Sequence, residues 1–465
     1  MKLSRSPGFR TLAITALLLA AGSVIARPAA DPAIPGVSEA QLSADYWIGR
    51  TDGADQPILD QAGVAAQNEK MAQLEPSLYD LESLPATLDR AQVQAWIEQA
   101  SPRPSRTLYD ETGRQVARRE IERLAGALDL HRIPASQPAR FGMVVRRTDV
   151  RTFPTRLRVF SSPDDRDIDR FQETALFPGT PVAVAHESRD RNWLFVVSHT
   201  YAGWVERDAV AFGDRDEILS FGKRAPFLVV TGAKVWTVYA PGEPRVSEVQ
   251  LDMGVRLPLL RVPPEDGMVN GQHAYFGHAV ELPVRNADGT LAFRPALVPR
   301  SADVSIGHLP LTPANILRQA FKFLGERYGW GHSYNARDCS GFVSEVYRSM
   351  GILLPRNTSA QSVSPALDRI ALPPEMPHAE RLALLDATRV GDLVYIPGHV
   401  MMVIGHEDGE TYVIHDTTGT AMQGSDGEVR RLALNGVVVT PLRRMLQGAG
   451  QPVVDRITSI QRIRP

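Results

Sequence analysis

Apolar and polar positions fall into three textures along the chain. Residues 27–60 are rich in Ala, Pro, Asp and Gly and predict a mostly extended lead-in. Residues 60–135 then read as helical and irregular. Leu88, Val93, Ala95, Trp96 and Ile97 form a rough apolar face, which predicts a helix over 88–100. From Phe141 onward, short β-rich runs recur between Pro, Gly and Asp clusters. They include Leu157-Arg158-Val159-Phe160, Pro181-Val182-Ala183-Val184-Ala185, Trp193-Leu194-Phe195-Val196-Val197 and Gly203-Trp204-Val205. Such spacing predicts a small β-barrel or sandwich. A second cycle contains Phe227-Leu228-Val229-Val230, Val235-Trp236-Thr237-Val238-Tyr239, Arg256-Leu257-Pro258-Leu259-Leu260 and 279–284. Two small barrels are expected, over 141–212 and 222–305, alike in texture and not as a clean repeat.

At residue 311 the period changes from two to 3.6. Thr312 is a good N-cap and Pro313 suits the first helical position. Ile316, Leu317, Ala320, Phe321 and Leu324 make one apolar stripe. A second helix is predicted from Cys339, with Phe342, Val343, Val346, Tyr347 and Met350 on its face and Gly351 ending it. Strands follow at 392–396, 399–404 and 411–415, the last two joined by an Asp408-Gly409 hairpin turn. Asn435-Gly436 predicts another hairpin, between 431–434 and 437–439. Helices first and then an antiparallel sheet is an α+β arrangement, expected over 311–465.

The start of the chain adds a compartment. Lys2, Arg5 and Arg10 precede an apolar run at 12–21, and Val24-Ile25-Ala26 offers small residues for cleavage after Ala26. This pattern predicts a secretory signal peptide over 1–26 and a mature protein in the periplasm or cell envelope, with no stable membrane insertion after signal removal. No cysteine follows the apolar run, which argues against a lipoprotein anchor. At 465 residues the chain is too long for a single core. Its net charge of −2 gives no reason to expect a nucleic-acid partner.

Export makes the cysteine count informative. Cys339 is the only cysteine of the chain, so there is no internal disulfide. An odd cysteine in an exported protein is an intermolecular link, a reactive thiol or an inert buried residue. This one stands at a predicted helix start, where unpaired N–H groups favour a thiolate. Asp338 opposes that charge unless its carboxylate caps the helix or meets substrate. Among eleven histidines, His399 and His415 end two neighbouring strands and face the same way along them as Met401 and Val413 do. Paired strand ends bring them within hydrogen-bond reach, one as base and one as its orienting partner. His406, placed in the hairpin turn, and His332, in the loop before Cys339, are weaker candidates. No histidine pair has tight ligand spacing, so neither metal nor cofactor is expected.

Tyr328-Gly329-Trp330-Gly331, Arg337-Asp338-Cys339-Ser340-Gly341-Phe342-Val343, Leu354-Pro355-Arg356 with Gln361, Gly391-Asp392-Leu393-Val394 and His399-Val400 together resemble the NlpC/P60 family of papain-like cysteine peptidases. The motifs cover about 315–445. The upstream part resembles the multidomain branch of that family, with an N-terminal stabilising segment (27–140) and two bacterial SH3-like barrels. The resemblance implies a multidomain fold: a mostly helical or irregular segment, two all-β SH3-like barrels, and an α+β papain-like catalytic domain. It also implies hydrolysis of the amide between γ-D-glutamate and a diamino acid, usually meso-diaminopimelate, in peptidoglycan stem peptides. Carried over, Cys339 is the nucleophile, His399 the base and His415 the orienting residue. Tyr328 and the Cys339 N–H stabilise the oxyanion. Asp338, Ser340 and Trp330 contact substrate, and Arg356 shapes that end of the groove.

Two departures stand out. His332 replaces the family's second glycine after the tryptophan, which is expected to narrow or re-aim the groove. The Pro-rich stretch 364–389 is expected to form an extra flap. The family's first barrel abuts the active site and restricts it to peptides with a free N-terminal L-alanine. Trp193, Tyr201 and Trp204 are read as barrel core, and Asp167 and Asp169 as turn residues. Two other functions share these features: an amidase cleaving another wall amide, such as muramoyl–L-alanine, and a wall-binding protein whose papain-like domain is vestigial.

Overall fold

The structure, a computed structural model, describes residues 34–261, 267–424, 427–448 and 450–464. The expected signal peptide lies outside the described residues. Among those described, no helix is long and apolar enough to cross a membrane.

The lead-in is less extended than its composition suggests. Helical turns at Glu39–Leu42 and Ala44–Ile48 bury Trp47 against the C-terminal domain. The helix Gln61–Leu74 follows, its first turn capped by Asp60. Leu88, expected in a helix, lies instead on a short strand, Thr87–Asp89, paired with Ser136–Pro138. The helix begins two residues later than expected, at Arg90–Ala100, because the Asp89 carboxylate accepts from the Gln92 N–H and caps it.

The first β unit is one antiparallel sheet of seven strands. Its order is Gln172–Leu176, Thr148–Arg151, Ala202–Glu206, Trp193–Val197, Pro181–Glu187, Arg140–Val144 and Val210–Gly213. Phe195 and Trp204 pack edge to face in its core, as expected of Trp204. The run 157–160 is not a strand. It makes a single bridge, Phe160 to Tyr109, and the Asp169 carboxylate takes the Val159 N–H that a ladder would have used. Asp169 opens a turn, as expected, its carbonyl accepting from the Gln172 N–H at 3.1 Å and its carboxylate from the Phe171 N–H at 3.0 Å, and it is also wholly buried and paired with Arg151 at 2.5 Å.

The second β unit is more divided. Phe227–Val230 sits between Arg256–Pro258 and Val304–Ile306, and separate two-stranded ladders join Lys234–Trp236 to Gln250–Asp252 and Gly277–Arg285 to Leu291–Pro299.

In the C-terminal domain Thr312 caps the helix Pro313–Phe321 and Asp338 caps Cys339–Ser349, while Gly351 takes positive φ just beyond the latter. Both helices pack on one face of an eight-stranded antiparallel sheet. Its centre is Leu393–Ile396, His399–Glu407 and Glu410–Gln423. Along His399–Glu407 the side chains alternate. Val400, Met402 and Ile404 join the helix-side core, and Met401 and Val403 the opposite one.

Two turn expectations separate here. Asp408 and Gly409 both take positive φ and form the two-residue turn between Glu407 and Glu410. His406 thus lies on the strand and not in the turn. Asn435-Gly436 does not turn. It lies inside one long strand, Val429–Pro441, where Gly436 pairs with Thr417 and Leu434-Asn435 bulge opposite Thr418. The bulge lets the preceding loop close in: a Cβ on Gly436 would stand 2.6 Å from the Glu326 carbonyl oxygen. The 364–389 stretch extends the edge of the sheet. Asp368–Ala371 pairs with Ser459–Arg462, and the helix His378–Asp386 is tied down by Arg381 donating to the Ile457 carbonyl at 2.8 Å.

Candidate active site

The Asp338 carboxylate accepts from the Gly341 N–H at 2.8 Å and so opens the helix that presents Cys339 at its first position. Its other oxygen takes the Gly331 N–H at 2.9 Å and the Arg356 guanidinium at 2.8 Å. Burial alone would raise the Asp338 pKa, but the Arg356 charge outweighs it and holds the group down at about 2. Ser340 donates to Asp338 and accepts from Arg356 at 2.9 Å. Asp338, Ser340 and Arg356 are thus brought together as one buried cluster at the root of the thiol.

The Cys339 thiol lies 3.8 Å from the Thr358 hydroxyl and meets the Val400 N–H. Burial and the Asp338 charge push it up to about 12. His399, the residue before Val400, has Nε2 2.7 Å from Nδ1 of His415. His415 is fully buried, and its Nε2 is 2.9 Å from the Thr440 hydroxyl. Burial pushes His399 down to about 4 and holds His415 well below the ordinary range. Burial thus disfavours charge on the thiol and on both imidazoles.

A cavity of 740 Å³ opens beside the histidine pair, lined by Tyr328, Trp330, His399, His415, Thr417 and Arg431 among others. Burial and the neighbouring thiol raise the Tyr328 phenol, so it stays protonated and can donate. A larger cavity of 940 Å³ lies between the two β units. It holds no cysteine or histidine, and its arginines Arg146 and Arg156 pair with Glu206, so the chemistry belongs to the smaller one. Among the described residues no cluster of three or more His, Cys, Asp or Glu is placed to hold a metal.

His332 does not reach the groove. It is buried behind Asp338, with Nε2 3.0 Å from Glu345 and Nδ1 3.0 Å from Arg356. Its partners come from the following helix and from beyond it, which no local pattern displays. The first β unit also contributes more than its sequence announced. Gln172 donates to the Gly331 carbonyl at 2.7 Å, Thr174 accepts from Arg356 at 2.6 Å, and the Trp330 indole donates to the Gln172 carbonyl at 3.1 Å. Tyr201 packs half-buried against the barrel core, its hydroxyl donates to Glu173, and with Arg356 and Asn357 it lines a recess of 290 Å³. Thr358, Thr440 and Glu173 were missed because no motif marks them.

Residues 325–432 match the model of the NlpC/P60 family, and 158–206 match an SH3 domain of the SH3b1 type. A gamma-D-glutamyl-L-lysine dipeptidyl-peptidase of Bacillus cereus is 29% identical over 208 residues, which are 41% of this chain and 54% of that protein. A probable endopeptidase p60 of Listeria seeligeri is 46% identical over 50 residues, 10% of each chain. The chain thus spans about half the length of the first relative and a tenth of the second. Among solved structures, an NlpC/P60 endopeptidase from Photobacterium damselae subsp. piscicida superposes with a TM-score of 0.73 over 92% of this chain and 98% of that one. At 18% identity this likeness speaks for the shared fold. On one chain, a stretch matching an SH3 domain is thus followed by a C-terminal stretch matching the NlpC/P60 family.

Proposed function

We propose that this protein is an exported cysteine peptidase that hydrolyses the γ-D-glutamyl–diamino acid amide of peptidoglycan stem peptides. The observation that carries the reading is the 2.7 Å His399–His415 contact at the edge of the groove, next to the lone thiol on its helix N-terminus. The strand that starts at His399 donates its second N–H, that of Val400, to the Cys339 sulfur.

In this reading Nδ1 of His399, the nitrogen turned away from His415, takes the thiol proton as sulfur bonds to the γ-glutamyl carbonyl carbon. The proton leaves as the S–C bond forms, because burial disfavours charge on the resting pair. The carbonyl becomes an oxyanion held by the Cys339 N–H and the Tyr328 hydroxyl. His399 then returns its proton to the leaving amine of the diamino acid. Water, deprotonated by the same imidazole, cleaves the thioester and restores the thiol.

The bond assignment draws on the Bacillus cereus relative, whose name places its cleavage at a γ-D-glutamyl-L-lysine bond. In this chain the diamino acid is taken to be meso-diaminopimelate. The first β unit, reaching in with Gln172, Thr174 and Tyr201, walls one end of the groove. A blocked end favours short peptides with a free N-terminal L-alanine over intact wall.

The test is digestion of L-Ala-γ-D-Glu-meso-diaminopimelate, of muropeptides and of intact sacculi, read by mass spectrometry. Release of free diaminopimelate from the tripeptide is expected, falling by a factor on the order of 10³ or more in Cys339→Ala and Cys339→Ser. Undiminished turnover by either variant would overturn the nucleophile. New termini at muramoyl–L-alanine would overturn the bond.

A further inference from the structure

The histidine pair does not end at His415. Thr440 stands on the strand Val429–Pro441 opposite Val413, the residue that shares a face with His415, so its side chain reaches the buried imidazole diagonally. Thr440 is itself wholly buried. Its hydroxyl oxygen is 2.9 Å from Nε2 of His415 and 3.2 Å from the sulfur of Met445, which is also buried.

The three contacts have a direction. A thioether carries no hydrogen and can only accept. The one Thr440 proton therefore goes to Met445, and the Thr440 oxygen accepts the N–H at Nε2 of His415. A neutral imidazole with its proton on Nε2 has a lone pair on Nδ1. That lone pair accepts from Nε2 of His399 across 2.7 Å. His399 is then left with its lone pair on Nδ1, the nitrogen that has to take the thiol proton. In the reverse order Thr440 would donate to His415, His415 to His399, and Nδ1 of His399 would carry a hydrogen and be useless as a base.

We propose that Thr440 is a positioning residue of the reaction, whose hydroxyl, oriented by Met445, fixes the tautomers of His415 and His399 so that His399 meets the thiol as an acceptor. This inference rests on the reading of Cys339 and His399 as nucleophile and base.

Thr440→Val keeps the branched shape and removes the hydroxyl, and Thr440→Ser keeps the hydroxyl and removes a methyl. Since Cys339 is the only cysteine, alkylation by iodoacetamide at neutral pH reports on it alone and needs no substrate. The Val variant is expected to lose about tenfold or more in kcat on L-Ala-γ-D-Glu-meso-diaminopimelate, with KM unchanged, and to be alkylated correspondingly slowly. The Ser variant is expected to recover both. Long-range proton–nitrogen spectra of the wild-type histidine rings, which need no variant to fold, are expected to show both protons on Nε2. A Val variant with wild-type kcat and alkylation, a Ser variant as slow as Val, or a proton on Nδ1 of His399 would each overturn the proposal. If Cys339→Ala keeps its turnover, the nucleophile itself is wrong and this inference falls with it. A slow Val variant beside an inactive Cys339→Ala keeps the two apart.

Discussion

Asp338 carries opposing duties at the scale of one residue. As an anion next to Cys339 it works against the thiolate, yet as a cap it opens the helix on which the thiol stands. The balance is set by Arg356, which draws the carboxyl from its ordinary 3.8 to about 2. A folded-state pKa below the unfolded one means stability that is complete above the unfolded value and is lost as pH falls through the folded one. For this buried group the difference is worth roughly 2 kcal/mol. The stability gap between wild type and Asp338→Asn, measured by urea denaturation, is therefore expected to shrink by roughly that amount between pH 5 and pH 2. A gap that stays constant across the range would show that the Arg356 pair is not what the charge serves. Cys339, His399 and His415 were legible in the sequence because each sits at the end of an element, where a cap, a turn or a strand alternation marks it. His332 was misread as a groove residue because its burial depends on Glu345 and Arg356, which only the folded chain brings to it.

The loop from Tyr328 to Arg337 is the element that links chemistry to the rest of the chain. Gly331, His332, Tyr334 and Asn335 all take positive φ there, a conformation that costs most side chains energy and persists only where the surroundings enforce it. Arg147 of the first β unit donates to the His332 carbonyl at 2.9 Å, and Gln250 of the second exchanges two amide hydrogen bonds with Asn335, at 2.8 and 2.9 Å. Arg337, fully buried, is ringed by Glu326 at 2.6 Å, Glu345 at 2.7 Å and Asp252 at 3.1 Å. Asp252 belongs to the second β unit, so Asp252→Ala leaves buried arginine charge short of a partner. A loss of about 3 kcal/mol in stability is expected from denaturation curves, with a fall in kcat as Tyr328 and Trp330 lose their register. An Asp252→Ala protein of full stability and activity would mean that the second β unit does not brace this loop. The periodicity of 141–305 announced β units but not this contact, because strand alternation reports which face is buried and not what lies across it. Asn435-Gly436 shows the same limit. The dipeptide signals positive φ, and whether that makes a turn or a bulge was decided by the approach of Glu326.

Across the whole molecule the N-terminal residues pack into the helix-side core of the C-terminal sheet. Trp47 is almost wholly buried, its ring 5.0 Å from that of Tyr412, and its indole donates to the Gln41 carbonyl at 2.9 Å. The ring lies against Gly405, where a Cβ would stand 2.7 Å from it, at the irregularity in the strand that begins with His399. Tyr412 in turn donates to the Gly36 carbonyl at 2.9 Å, and Glu407 accepts from Gln41 at 2.6 Å. A segment of low hydrophobicity, read from composition as extended, thus inserts one large apolar side chain into the core behind the two histidine strands. Removing it leaves a cavity that these strands cannot fill, since Gly405 has no side chain to offer. Trp47→Ala is expected to cost about 3 to 5 kcal/mol. The cost should be local: hydrogen exchange is expected to speed up along His399–Glu407 and Glu410–Gln423 and to stay unchanged in Trp193–Val197, whose core around Phe195 and Trp204 is separate. If exchange rises equally in both, the N-terminal segment stabilises the chain as a whole. If it rises in neither, Trp47 is dispensable and the segment is held by its polar contacts, among them those to Glu407 and Tyr412.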